Sequence, residues 1–323
     1  MMKITAAVCT YNGEKYILEQ LNSILNQTVK VDEIIICDDQ SSDKTVTIIT
    51  DLMLLYPEII KLYINPENLR VNKNFEKAVD LSSGDFIFFS DQDDVWTNTK
   101  VAHILTIFEE NPSAQGVFSD ANLIDEKGLN QGTTSLWENV LFVEKAISSE
   151  KDLYPYISNI RNMVTGATLC IKKDTKEHIL PFPEVKAMYH DEWIALVLAY
   201  KNTLFYTNEK LISYRIHASQ QIGVIKPSVL AENNTVITAI IEKKYPKKFH
   251  QLYLIYKSYF RNYNKFTRLK NSYSNKVHFD LETIIQTNKN NIIALEPKLK
   301  SSNFVLFYFK KLTDKITGKR QFN

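Results

Sequence analysis

Cysteine is scarce in this chain: Cys9, Cys37 and Cys170 are the three present in 323 residues, and they stand far apart. They offer neither a disulfide framework nor the paired spacing of a zinc site. No apolar run approaches the roughly 18 residues needed to cross a bilayer. Met1 to Cys9 also lacks the apolar core and small-residue cleavage site of a signal peptide, so a reducing cytoplasm is the expected compartment. Glycine is limited to eight residues, and the segment TYNGEKY after the first expected strand has a single one, which argues against a glycine-rich phosphate loop. Disorder is excluded in turn, because 44% of residues are hydrophobic and 24% charged.

Charge is distributed unevenly. The formal net charge is +2, yet residues 225 to 323 hold 19 Lys and Arg against 6 Asp and Glu, and residues 1 to 224 hold 20 against 31. An acidic unit over 1–224 and a basic, mainly helical unit over 225–323 are therefore expected. From Lys226 the texture becomes rich in Tyr, Lys and Asn, with apolar residues such as Leu252, Ile255, Tyr256 and Tyr259 at helical spacing. Two readings of this basic region stand side by side. In one, Lys243, Lys244, Lys247, Lys248 and the run from Asn303 to Arg320 dock on an anionic membrane surface, at the inner face of the cell membrane. In the other, a helical unit packs its apolar stripe on the remainder of the chain or on a second copy and leaves its lysines in solvent. Nucleic acid is a poor partner, because no binding motif accompanies the positive charge.

The acidic part alternates short β-rich runs with helix-period segments. Strands are expected at Ile4 to Cys9, Glu33 to Cys37, Ile59 to Ile64, Asp85 to Phe89 and Gln115 to Ser119. Helices are expected between them at Glu14 to Asn26, Asp43 to Tyr56, Val71 to Leu81 and Thr99 to Glu109. Such alternation implies βαβ crossovers and a mostly parallel sheet covered on both faces. Ligands of these sheets bind beyond the carboxyl ends of the strands. Three loops there become candidates: Thr10, Tyr11, Asn12 and Gly13; Asp38 to Asp43; and Asp91, Gln92, Asp93 and Asp94.

Carboxylates dominate two of these loops. Clustered anions repel unless a cation lies between them, and hard oxygen ligands suit Mg²⁺ or Mn²⁺. Such an ion would bridge the phosphates of a nucleotide sugar. The plainer reading has Asp38, Asp39 and Asp43 capping the following helix and Asp94 capping the helix after the fourth strand.

The segments AAVCTYNG (Ala6 to Gly13), IICDDQSSD (Ile35 to Asp43) and FSDQDDVW (Phe89 to Trp96) resemble, in order and spacing, the successive signatures of family 2 inverting glycosyltransferases with the GT-A fold. The resemblance covers roughly residues 1 to 220. It implies a Rossmann-like α/β fold and a donor nucleotide site that includes Thr10, Tyr11, Asn12, Asp38, Asp39, Asp91 and Gln92. Within that site it implies that Thr10 and Tyr11 line the base and ribose pocket, that Asp39 accepts from the imide of uracil or thymine, and that Asp93 ligates the metal with Asp91 nearby.

In the second half, MVTGATLCI (Met163 to Ile171) is strand-like but interrupted by Gly166, which permits close backbone approach. The resemblance turns this segment, with Gly166 and Ala167, toward the acceptor and donor sugar, and Trp96 and Trp193 are further sugar-facing candidates. His190, Asp191, Glu192 and Trp193 precede an expected helix from Ile194 to Tyr200. An inverting transfer needs one carboxylate to remove the acceptor hydroxyl proton. By position that is Asp191, with Glu192 as competitor and a simple N-cap as the plain alternative. In YRIHASQQIG, the resemblance has Arg215 and His217 close over the donor diphosphate, His217 also being able to ligate metal.

The set of motifs is most similar to bacterial rhamnosyltransferases that build cell-wall and capsular polysaccharides from dTDP-L-rhamnose, acting on a glycan or lipid-linked saccharide. Glu192 departs from that pattern, where a second aromatic is usual. A UDP-hexose or UDP-N-acetylhexosamine transferase is the near alternative. A sugar nucleotidyltransferase and a non-catalytic nucleotide-binding module are more distant.

Overall fold

A computed structural model describes residues 2–132, 135–140, 147–218, 220, 234, 236–273, 277 and 279–322. The expected division after Val224 lies outside the described residues, as do Lys226 and most of the end of YRIHASQQIG. The order of elements over the first part is β1 (Ile4–Thr10), α1 (Ile17–Leu25), β2 (Glu33–Asp38), α2 (Thr45–Leu55), β3 (Ile60–Ile64), α3 (Arg70–Leu81), β4 (Phe86–Ser90), β5 (Val95–Trp96), α4 (Lys100–Glu110) and β6 (Gly116–Ile124). There follow α5 (Leu136–Val140), α6 (Leu153–Asn159), β7 (Leu169–Lys172), α7 (Lys176–Ile179), α8 (His190–Tyr200) and β8 (Leu204–Arg215). Three long helices close the chain: α9 (Phe249–Tyr273), α10 (Leu281–Ser302) and α11 (Phe304–Ile316).

The strands form one sheet in the order β3-β2-β1-β4-β7-β6-β8-β5. The first four are mutually parallel, as βαβ crossovers require. β7 runs antiparallel to both β4 and β6, and β5 antiparallel to β8, so the sheet is mixed. Two strands, β5 and β8, have no counterpart among those expected from the sequence. β5 has two residues, too few to show a period, and forms because Val95 and Trp96 pair with Ser213 and Ile212. In the Met163 to Ile171 run, Gly166–Thr168 makes a 3₁₀ turn, so only its end is strand.

Alternate residues of the central strands feed two cores, which explains their unbroken apolar character. Ala7, Ile35, Ile87 and Phe89 pack with Phe75 and Val79 of α3 and with α8. Ala6, Val8, Ile34, Ile36 and Phe88 pack with Ile17, Leu21 and Ile24 of α1, Ile49 of α2 and Ile104 of α4. The basic region is helical as expected. Leu252, Tyr256, Phe260 and Phe266 of α9 join the core that contains Trp193 and Leu196, while Asn262 Nδ2 donates to the Asn159 carbonyl at 2.9 Å.

Candidate active site

The carboxyl ends of β1, β2 and β4 are laced together by short polar side chains. Thr10 Oγ1 donates to Asp38 Oδ2 at 2.7 Å, and the same carboxylate accepts from the Ser41 amide and hydroxyl at 2.9 and 2.6 Å. Thr10 and Asp38 are buried, and their polar groups face each other. They build the loop, in place of the donor contacts expected of them. Asn12 adopts the left-handed region (φ 50°), and its Oδ1 accepts from the Ser42 amide at 2.8 Å, so it too ties the first loop to the second. Asp43 accepts from Thr45 N and Glu14 N at 3.0 Å each; it bonds the start of α2 from one residue outside the cap.

Gln92 clamps the first loop from the other side. Its Oε1 accepts from Tyr11 N at 2.8 Å and its Nε2 donates to Tyr11 O at 3.0 Å. A Cβ at Gly13 would come within 2.3 Å of that Oε1, so a side chain there would push the Gln92 clamp aside. The Tyr11 ring is left exposed at the ligand-facing edge.

Asp39 is held from a loop that the sequence reading passed over, the one after β3. Its Oδ1 accepts from Asn65 Nδ2 and Leu69 N at 2.9 and 2.7 Å, and its Oδ2 from Arg70 N at 2.8 Å. Arg70 is itself left-handed (φ 63°). A carboxylate oxygen accepts two hydrogen bonds, so Oδ2 retains capacity for one more donor.

The acidic loop after β4 divides into separate roles. Asp94 is buried beneath it; Oδ1 accepts from Arg215 N at 3.0 Å, while Oδ2 has no hydrogen-bond partner. Burial, with Asp93 and Asp91 alongside, pushes its proton affinity well up. It does not cap α4, whose cap position is Thr99. Asp91 is pushed up to about 7 by burial first, then by the charges of Asp93 and Asp191. Asp93 Oδ2 lies 2.7 Å from His217 Nε2, and the His217 ring packs on Tyr16 with centroids 5.0 Å apart.

Asp191 arrives at this acidic group from α8, a hundred residues away in sequence. The helix begins at His190 with Tyr189 as its cap residue, so Asp191 lies in the first turn and is not an N-cap. Its Oδ1 accepts from Glu192 N at 2.6 Å. Burial outweighs its backbone hydrogen bonds to Glu192 and Gly166 and raises it to about 7. Glu192 faces elsewhere: it is buried in an ion pair with Lys265 of α9, so the competing base candidate is a structural anion.

Four further expectations are corrected by burial. Trp193 is 1% exposed and donates from Nε1 to the Ile179 carbonyl at 2.8 Å, within the core. Trp96 is 3% exposed, beside Phe88 and 3.9 Å below Lys100 Nζ. Neither reaches a sugar. Arg215, 1% exposed, spends its guanidinium on the chain: Nε on Asp93 O at 2.8 Å, Nη1 on Asp125 O at 3.2 Å and Nη2 on Glu19 Oε2 at 2.6 Å. It braces the acidic loop against α1 and leaves no fork for a diphosphate. Ala167 is buried and offers its carbonyl to Lys100 Nζ at 2.8 Å.

Gly166 does lie at a close approach, to a side chain. A Cβ there would stand 2.5 Å from His190 Nε2. That imidazole is stacked on Phe75 and Phe89, both its nitrogens lack hydrogen-bond partners, and burial lowers it to about 3. The sequence reading also missed Lys100, a buried cation close to Asp94, Cys170 and Asp91, whose burial lowers it to about 7 against their attraction. Its signal was position: Lys100, Val101, Ile104, Leu105 and Phe108 share the inward face of α4.

Among the described residues, no three His, Cys, Asp or Glu side chains form a ready metal cage. The donor chemistry nonetheless suits a divalent ion: a carboxylate and an imidazole 2.7 Å apart, with a second carboxylate, Asp91, raised by burial first and then by the charges of Asp93 and Asp191.

Residues 5–159 match the family described as glycosyl transferase family 2. The dTDP-rhamnosyl transferase RfbG of Shigella flexneri is 31% identical over 230 residues, covering 67% of this chain and 73% of that protein. An uncharacterized glycosyltransferase of Haemophilus influenzae is 28% identical over 68% of each chain. Among solved structures, S. aureus TarS 1-349 in complex with UDP-GlcNAc superposes with a TM-score of 0.53 at 17% identity, covering 99% of this chain and 93% of that one. The mannosyltransferase PcManGT from Pyrobaculum calidifontis, in complex with GDP-Man and Mn²⁺, gives 0.52 at 17% identity over 99% and 88%. These two share the fold.

Proposed function

The chain belongs to glycosyl transferase family 2, and from that premise we propose that it transfers L-rhamnose from dTDP-L-rhamnose to a glycan or lipid-linked saccharide, with inversion, in the building of a bacterial surface polysaccharide. The observation that carries the reading is the convergence of Asp91 and Asp93 from one strand end with Asp191 from a distant helix, near enough for their charges to raise Asp91. The choice of donor is supported by the 31% identity to a dTDP-rhamnosyl transferase.

In this reading Asp191 is the general base. The acceptor oxygen forms its bond to the anomeric carbon, its proton passes to the Asp191 carboxylate, and the bond to the diphosphate breaks on the opposite face. Asp39 holds the pyrimidine through the free capacity of Oδ2, and Tyr11 borders the nucleoside. Asp93 with His217, and Asp91 behind them, would hold Mn²⁺ or Mg²⁺, which when bound supplies a Lewis acid for the leaving diphosphate. Lys100 offsets part of the buried negative charge beneath the site. Residues 1–224 act as the catalytic unit and 225–323 as a basic helical unit. The reaction belongs in the cytoplasm, facing the membrane if the acceptor is lipid-linked.

Thermal stabilisation by dTDP-rhamnose, UDP-glucose, UDP-galactose and UDP-N-acetylglucosamine, each with and without Mn²⁺, tests the donor, because a ligand bound only by the native state raises the melting temperature. A Mn²⁺-dependent shift with dTDP-rhamnose alone is expected. A shift with a UDP-sugar instead assigns the chain to the UDP-hexose or UDP-N-acetylhexosamine alternative, and no shift with any donor refutes the assignment.

A further inference from the structure

The helix α11 is mounted with its apolar side outward. At 3.6 residues per turn, Phe304, Tyr308, Leu312, Val305, Ile316 and Phe309 fall on one arc of about 140°, and all six are exposed, Val305 and Ile316 to 75%. The inward arc is polar for the most part. Asp314 is buried, paired with Arg320 and within 3.4 Å of Tyr253 Oη, and Lys311 is paired with Glu296. Phe307 is the apolar residue that α11 buries against the rest of the chain. A surface helix in water normally has the reverse arrangement. Its apolar arc is too large to be ordinary scattered exposure.

The charges around the arc have one sign. Lys315 lies within it, Lys300 Nζ stands 5.6 Å from the Phe304 and Tyr308 rings, and Lys319 follows the end of the helix; all three are exposed. The acidic groups of α11 and of its contact with α10, Asp314 and Glu296, lie on the inward side and are paired with cations. We propose that the outer face of α11 is a docking surface for an anionic lipid bilayer, the apolar arc entering the headgroup boundary and the three lysines meeting lipid phosphates. A two-fold contact with a second copy would bring the same lysines face to face, whereas an anionic surface compensates them. No described helix is long and apolar enough to cross a membrane, so the contact is peripheral. The inference is independent of the donor assignment, since vesicle binding is read without any sugar nucleotide.

The full chain is mixed with vesicles of phosphatidylcholine, or of phosphatidylcholine with about one-third phosphatidylglycerol, and sedimented. Binding to the anionic vesicles, weakened by added salt, is expected. Replacing Lys300, Lys315 and Lys319 by Gln is expected to lower partitioning about 100-fold, at about 5-fold for each charge. Phe309→Glu with Leu312→Glu is expected to abolish it while the circular dichroism melt is unchanged; Val305→Glu alone serves if the double variant does not fold. Absence of binding at low salt, or binding that these variants leave intact, overturns the proposal. A concentration-dependent dimer that the same variants dissolve, without vesicle binding, assigns the face to a second copy and also overturns it.

Discussion

Replacing Asp191 by Asn is expected to remove activity and, above neutral pH, to make the protein more stable. The sign follows from the direction of the shift. Burial raises the Asp191 carboxyl from 3.8 to about 7, so the folded state binds its proton more tightly than the unfolded chain does. Its contribution is therefore most favourable below pH 4 and is lost as pH rises toward 7 and beyond. At about 1.4 kcal/mol per pH unit, a rise of about three units sets a ceiling near 4 kcal/mol of destabilisation at pH 8. Solvent reaches part of the side chain and its field is screened, so about half of that ceiling is the working figure. Asparagine keeps an oxygen for the Glu192 and Gly166 amides while carrying no charge. With an unfolding entropy of about 2.1 cal/mol/K per residue over 323 residues, a gain of 2 to 4 kcal/mol raises Tm by about 3 to 6 °C. The assay is a pair of thermal melts at pH 5 and pH 8 in chelator, for wild type and variant, with donor affinity and turnover measured separately in Mn²⁺. The variant's Tm advantage should be larger at pH 8 than at pH 5, donor affinity should change little, and turnover should fall about 100-fold or more. A Tm difference that is the same at both pH values, or a variant less stable at pH 8, would refute the claim that this carboxylate is held in an unfavourable environment. Retained turnover would remove it from the role of base.

Other perturbations separate the remaining roles. Asp93→Ala, or chelator added to the wild type, should abolish turnover, while His217→Ala should cost about 10- to 100-fold in activity or apparent Mn²⁺ affinity; full activity in chelator would defeat the metal assignment. Lys265→Ala strands the buried Glu192 carboxylate and should destabilise by about 3 to 5 kcal/mol, an effect a combined Lys265→Met, Glu192→Gln variant should largely recover in a denaturant titration. Gly166→Ala drives a methyl into His190 Nε2 and should lose about 1 to 3 kcal/mol of stability together with activity. In the background of His190→Ala the stability cost of Gly166→Ala should largely vanish, and a cost of the same size in both backgrounds would show that the clash is not the cause. With Mn²⁺ present, the wild-type kcat profile should show a limb that rises as Asp191 loses its proton, a limb absent from any residual activity of Asp191→Asn.

Residue order alone determined the alternating strands and helices of the first half, because apolar periodicity and turn residues are local signals. It also determined that the acidic loops emerge at one edge of the sheet, since that follows from parallel connectivity. Which acid does what was decided by the tertiary structure. Asp38 and Asp39 are adjacent and identical in type, yet one is consumed by Thr10 and Ser41 and the other is braced by a loop about 30 residues further on. Asp191 and Glu192 are neighbours of the same charge, and the helix turn between them sends one toward Asp91 and the other toward Lys265. Trp96, Trp193 and Arg215 have side chains suited to ligand recognition, but burial among distant residues turns them into core and bracing groups. Sequence specifies the chemical types and their spacing along the chain; direction and solvent access depend on contacts between residues far apart, and only the folded structure supplies those.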